Sequence, residues 1–437
     1  MTNRLVALRA KAWPLPRSLQ IVLLSFSVTG ITGLSALLTG RWLGAEQRGV
    51  ITIAQTISSM LALLMAFGLI QSTRMLLSDP AWGLTARRYV TVTRVLVVAD
   101  LAVTIVVSLT LFPFLLKVFD VSLSACLVVL STALFRSQLL REALHGLGHH
   151  RTAITGDLLA GLIPLLLIGV CHVLVPEALT VPVVLALLAT GPLVNYAFLG
   201  PAIRKAERAS DHVDAACALE LGTYGPQGTA SCLSDRALLK RIVVFSLPGL
   251  VAAGGYLVAG RMDRLVLAAF STKAAVGVYG MASTLSDLAW TIPVSLSAVI
   301  VRSVGQTKSV SGHPGWWRRT MAASVGLCVL MLGAGWFVFE HFLGPDFEGG
   351  TAILAVLLLG SLAMASQQVD LAFCNGLGDL KASARSAIVG VCVGLPAYLV
   401  LTPLFGVYGC AFGNNLTFVA MAISARRILR ARMKELS

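Results

Sequence analysis

Of 437 residues, 57% are hydrophobic and only 12% are charged, and the mean hydropathy is +0.84. A soluble globular chain carries about twice that charge, so water is excluded as the main solvent and lipid takes its place. The formal net charge of +14 then reads as basic loops facing anionic headgroups. Nucleic acid is not expected as a partner, because no basic segment interleaved with aromatics stands in a soluble stretch.

A membrane span needs about 20 apolar residues. The chain begins with Arg4, Arg9, Lys11 and Arg17, and its first apolar run, 18–40, is too long for the apolar part of a cleaved signal. Further spans are predicted at 49–72, 90–116, 121–142, 154–175, 180–203, 242–262, 277–303, 319–341, 351–374, 384–404 and 406–427. The fold class is therefore an all-α polytopic membrane protein of about twelve helices. The stretch 260–276 holds Arg261, Asp263, Arg264 and Lys273, so it either extends helix seven or lies at the interface. Sorting Lys and Arg along this path puts 28 on the side of the two termini and six (Arg41, Arg48, Lys117, Arg261, Arg264 and Lys273) on the other. That asymmetry predicts both termini in the cytoplasm and an even number of spans. The eight cysteines form no Cys-x-x-Cys pair and mostly sit in apolar runs, which suits small packing residues better than disulfides or a metal site.

The polar stretch 204–241 divides the chain into an N-terminal six-helix bundle (1–203), a cytoplasmic linker and a C-terminal six-helix bundle (242–437). The halves are related. Residues 49–58 (GVITIAQTIS) align with 277–286 (GVYGMASTLS) at five identities in ten, and the same offset carries Arg74 onto Arg302. Farther on, Gly146-Leu147-Gly148 with Arg151 matches Gly376-Leu377-Gly378 with Lys381. An even number of helices per repeat makes both copies run in one direction, so a pseudo-two-fold axis along the membrane normal and a cavity between two lobes are expected.

Glycines at 30 and 33, and Pro248, Gly249, Gly254 and Gly255, occupy comparable places in helices one and seven. They read either as gating hinges or as small residues that let helices pack closely. Ionisable groups inside lipid are costly and usually functional. Asp287 falls near the middle of helix eight and is the best candidate for a buried carboxylate, with Asp100 of helix three second. Asp287 could bind a proton, a cation or sugar hydroxyls, or make a structural hydrogen bond. Asp157 and Asp370 are nearer helix ends and are expected to be solvated. Arg74, Arg94, Arg136 and Arg302 lie at cytoplasmic helix ends. Facing inward they would form a positive vestibule for phosphate, and facing outward they are ordinary topology anchors. With Gln55 these complete the candidate cavity set. His145, His149 and His150 read as a solvated loop, and no catalytic or metal-ligating group is assigned.

Residues 41–57 (RWLGAEQRGVITIAQTI) resemble the Leu-Gly-x-x-x-x-Gly segment between helices one and two of the bacterial polysaccharide-exporter flippases, within the multidrug/oligosaccharidyl-lipid/polysaccharide exporter superfamily. Residues 263–283 resemble its second-half equivalent, 141–153 and 374–383 its paired Gly-x-Gly-x-x-basic segments, and 401–413 its corner between helices eleven and twelve. The resemblance implies alternating access and a polyprenyl-pyrophosphate-linked oligosaccharide as cargo, moved from the inner to the outer leaflet of the bacterial cytoplasmic membrane for cell-surface polysaccharide synthesis. Membrane lipid and other polysaccharide-assembly proteins would be its partners, and no cofactor is implied beyond a proton or sodium gradient. The alternative is an ion-coupled multidrug exporter on the same fold. That reading is weakened because helix one has no carboxylate between Arg17 and Arg41. A membrane enzyme would need paired acids or histidines on outer loops, and Glu46, Asp120, Glu177, Glu340, Asp346 and Glu348 show no such pattern.

Overall fold

The computed structural model describes residues 17–66, 68–78, 86–117, 120–220, 235–307, 309–379 and 381–436. Among them no strand occurs, and thirteen α-helices carry the chain. The N-terminal half holds α1 (Arg17–Met65), α2 (Leu69–Ser78), α3 (Ala86–Leu109), α4 (Leu111–Leu116), α5 (Val121–Gly146), α6 (His150–Leu174) and α7 (Val181–Glu220). The C-terminal half holds α8 (Asp235–Phe270), α9 (Lys273–Leu288), α10 (Thr291–Thr307), α11 (His313–Phe337), α12 (Gly350–Gly376) and α13 (Lys381–Leu436).

Two of these helices are too long to be single spans. The 49 residues of α1 would run roughly 70 Å, more than twice the hydrocarbon thickness. The helix breaks at Gly44 (φ 78°, ψ 172°), and the 56-residue α13 breaks at Gly406 (φ 57°, ψ −131°). Only glycine takes such backbone cheaply. Each break is a corner between two spans. Helix α8 bends by 53° between Leu247 and Gly249, at Pro248, a residue type with no backbone N–H to give the helix. Counting α8 as one span and each cornered helix as two gives the twelve spans expected, six in each half.

Of the two readings of 260–276, the structure has the extension: helix seven continues to Phe270, because Arg261, Asp263 and Arg264 find partners inside the protein. Helix six continues to Glu220, so the first part of the expected linker 204–241 is helical, while residues 221–234 lie outside the described set.

The lobes meet along α1 and α9, and the contact is reciprocal. A Cβ on Gly49 would run into the Lys273 carbonyl, and one on Gly277 into the Ala45 carbonyl. Both residue pairs are related by the repeat offset read from the sequence, so the pseudo-two-fold axis passes through this crossing. Ile51, Ile53, Tyr279, Met281, Leu343 and Phe347 pack in the same core on the face opposite the termini. There the segment Val338–Leu343 covers the Gly44 corner, with Arg41 donating to the Phe342 carbonyl at 3.1 Å. Toward the cytoplasmic face α10 leaves α1 and packs on α12. There α2 rests on α5 and α8, with Ser72 against Ser246.

Asp120 caps α5, accepting from the Ser122 N–H at 2.8 Å and the Leu123 N–H at 3.4 Å. Hydrogen bonds from the Ser122 hydroxyl and backbone hold this exposed carboxyl below the usual carboxylate range. A lowered pKa gives a contribution that is full above the unfolded value and lost as pH falls through the folded one. Asp120→Ala should therefore lower the melting temperature at neutral pH, with the difference from wild type closing under acid conditions.

Candidate functional site

One face of α8 lines a chamber of about 710 Å³ between the lobes. Phe245, Gly249, Ala253, Leu257 and Arg261 follow the four-residue spacing of a helix stripe. Leu63 and Ser72 of the N-terminal lobe and Trp290, Asn375, Lys381 and Ser383 of the C-terminal lobe contribute other parts of the wall. From Phe245 to Arg261 the stripe covers about 24 Å at the helical rise. The chamber thus reaches from the cytoplasmic ends of α2 and α13 to the middle of the membrane, and Arg261 stands at its deep end.

Arg261 belongs to a buried charge cluster. Its guanidinium pairs with Asp287 at 3.0 Å, and Arg264 reaches the same Asp287 oxygen at 3.3 Å while also donating to the Ser283 hydroxyl. The neighbouring Asp263 is fully buried and accepts from the Tyr279 hydroxyl at 2.6 Å, the Asn414 amide at 3.2 Å and the Arg264 N–H at 2.8 Å. Arg48 comes from the other lobe, close enough to Arg264 for the two charges to repel. It is 4% exposed, and its one hydrogen bond among the described residues is a 3.4 Å contact to the Thr39 hydroxyl. Among the described residues the Nε atoms of Arg48 and Arg264 have no hydrogen-bond partner. Three guanidiniums therefore face two carboxylates where buried charge is expensive. At the repeat-related positions of Arg261, Asp263, Arg264 and Asp287, the first half has Gly33, Ser35, Ala36 and Ser59. The C-terminal lobe thus brings most of the charge, and Arg48 alone answers from the N-terminal lobe.

Of the residues expected from sequence, Asp287 reaches this site, half-buried and paired with two arginines. Asp100 is fully buried inside the N-terminal lobe, away from the chamber wall. Arg94 and Arg302 are exposed. Arg136 lies over the Tyr196 ring at 4.3 Å and donates to its hydroxyl at 2.8 Å, and none of these three arginines lines the chamber. The Arg74 side chain lies outside the described set, while Gln55 is half-buried in the second limb of α1. Gly30 and Gly33 lie in an unbroken stretch of helix, while Pro248 and Gly249 mark the α8 bend. Gly254 is buried beside Leu64, and Gly255 sits against Ala387 of α13.

Asp370, expected to be solvated, is instead fully buried. Its carboxylate bridges His313 of α11 at 2.8 Å and Arg426 of α13 at 2.6 Å, tying three helices together. Asp157 is also paired, with Asn195 at 3.0 Å and Arg141 at 3.6 Å. Arg48, Arg261 and Arg264 are the cluster residues that sequence reasoning placed elsewhere, on the outer side. The signal that marks the last two was present: charges standing where the other repeat has small residues.

No family model matches the chain, and no curated protein matches its sequence. Solved structures do. The lipid II flippase MurJ in an inward closed conformation aligns with a TM-score of 0.68 at 11% identity, over 93% of this chain and 87% of that one. The inward-facing conformation of a multidrug resistance MATE family transporter aligns at 0.64 and 14% identity, over 94% and 95%. A MOP superfamily transporter from Pyrococcus furiosus aligns at 0.56 and 12% identity, over 96% of both chains. The fold is that of the MOP superfamily transporters. Within this MOP fold the chamber and the arginine cluster sit between the two lobes, closed toward the face opposite the termini.

Proposed function

We propose that this protein is an alternating-access flippase for a lipid carrying a pyrophosphate-linked oligosaccharide, working from the cytoplasmic to the outer leaflet. The observation that carries the reading is the surplus of arginine here: Arg261 on the chamber wall, Arg264 sharing its Asp287 partner, and Arg48 buried near Arg264 with no carboxylate partner among the described residues. A buried guanidinium without a carboxylate calls for an anion, and its planar fork suits phosphate oxygens. The arginines are also ordered along the path. Arg261 faces the chamber, whereas Arg264 lies three residues farther along α8, about 4.5 Å nearer the closed end. A headgroup entering from the cytoplasmic face meets Arg261 first. Separation of the lobes at the Gly49–Gly277 crossing then uncovers Arg264 and Arg48 and passes the phosphate outward. The bend at Pro248 is the hinge in α8, and the six-helix lobes of residues 1–203 and 242–437 are the moving bodies.

The reading is transport and not catalysis, supported by two related lobes around a chamber. The carrier is a polyprenyl chain and the setting a bacterial cytoplasmic membrane engaged in polysaccharide assembly, as the motif resemblance suggests. Binding to the purified protein should rise from polyprenol to polyprenyl monophosphate to polyprenyl pyrophosphate. Equal binding of all three would remove the phosphate from the account.

The apolar and aromatic part of the wall, with Leu63, Phe245, Leu257 and Trp290, favours a second reading. It would suit export of a small amphiphile coupled to a proton or sodium gradient through Asp287. Such a cargo leaves Arg48 without an anion.

A further inference from the structure

A smaller cavity of about 190 Å³ adjoins the chamber and shares Tyr256, Asn375 and Ser383 with its wall. Five of its eight lining side chains are polar (Tyr256, Ser297, Gln368, Asn375 and Ser383), and none is charged. A hydrocarbon there would strand the amides, which costs about 1–3 kcal/mol for each polar group left unsatisfied. A cation would find no carboxylate, and an anion no guanidinium. Amides and hydroxyls side by side offer donors and acceptors in alternation, as a ring bearing several hydroxyls requires.

The lining is held in place from behind. Gln367, fully buried, donates to the Tyr256 hydroxyl and to the Ser386 hydroxyl, both at 2.8 Å, and Ser386 donates to the Met421 carbonyl at 3.0 Å. Ser383 donates to Asn375 Oδ1 at 3.4 Å, which leaves the Asn375 amino group without a partner among the described residues. The Gln368 amide makes only a 4.0 Å contact to the Met364 sulfur. Fixed polar groups with spare capacity are the mark of a preorganised polar pocket.

We infer that this cavity seats an uncharged sugar of the cargo, the unit nearest the pyrophosphate. The inference rests on the reading of Arg261 as the phosphate contact. Tyr256 precedes Arg261 by five residues on α8, about 7.5 Å along the axis, a gap that one phosphate and one pyranose ring fill. The sugar site lies on the cytoplasmic side of the phosphate site, so the glycan trails into the wider part of the chamber while the phosphate leads.

The test uses the purified full chain with three probes: polyprenyl pyrophosphate alone, and the same lipid bearing one neutral hexose or one N-acetylhexosamine. Two or three neutral hydrogen bonds should make at least one glycosylated probe bind about ten-fold more tightly than the bare lipid. Gln368→Leu and Ser297→Ala, which line the smaller cavity and not the chamber, should each shrink that preference while leaving the bare lipid's affinity unchanged. Equal affinity for all three probes in the wild type, or equal losses for all three in both variants, would overturn the sugar site and leave the phosphate site standing. Absence of saturable binding by the bare lipid, or binding indifferent to Arg261→Ala, would overturn the phosphate reading and this inference with it.

Discussion

Arg261→Ala should lower affinity for polyprenyl pyrophosphate by roughly ten- to a hundred-fold, the scale of charge-assisted hydrogen bonds worth about 1.5–3 kcal/mol. The expected size follows from the charge balance. Arg261 is half-buried, pairs with Asp287 at 3.0 Å and faces the chamber directly. Its loss leaves Arg48 and Arg264 opposite Asp263 and Asp287, so the excess positive charge that attracts an anion disappears along with the contact. Arg261→Lys keeps the charge without the planar fork and should fall between wild type and alanine. A titration of lipid against each variant decides the matter. An alanine variant that binds as tightly as wild type would move the phosphate elsewhere.

Gly49→Leu should shift the lobes away from the closed arrangement at the outer face. The α1–α9 crossing brings backbone against backbone, with Gly49 on the Lys273 carbonyl and Gly277 on the Ala45 carbonyl. Overpacking of a tight contact costs roughly 1–3 kcal/mol, which biases a two-state equilibrium by roughly five- to 150-fold. Gly277→Leu should act alike, because the contact is reciprocal. Gly30→Leu is the control, since a Cβ there meets nothing within 4 Å. Spin labels at the exposed Glu46 and Thr272 would report the separation. Longer distances in both crossing variants and an unchanged distance in the control are expected. Unchanged distances in all three would mean that the crossing is not the outer gate.

Much of this architecture was legible in the sequence because lipid imposes a simple demand: long apolar helices with charge sorted by side. The repeat was legible too, and Gly49 and Gly277, aligned as sequence anchors, turn out to touch. The corners at Gly44 and Gly406 fall where the hydropathy already divides the chain, between spans 18–40 and 49–72 and between 384–404 and 406–427. Charges were harder to place. An arginine that anchors topology and one that holds a ligand look the same in a hydropathy window. Arg94 and Arg302 are exposed and Arg136 is engaged with Tyr196. The chamber's arginine is instead Arg261, in a stretch whose charges left open whether helix seven continued or ended at the interface. Its neutralising partner, Asp287, lies on another helix, and Arg48 comes from the other lobe. Asp370 was misread for the same reason, since His313 and Arg426 are 57 and 56 residues away in the chain.

The central claim is movement of a pyrophosphate-linked glycolipid through the chamber. It is tested most directly in proteoliposomes, by following a fluorescent polyprenyl-pyrophosphate oligosaccharide from one leaflet to the other. Wild-type protein should move the lipid, and Arg261→Ala should reduce that movement at least ten-fold, in line with its affinity loss. No lipid movement, together with proton- or sodium-driven dye efflux that Asp287→Asn abolishes, would contradict the flippase and establish the small-molecule exporter.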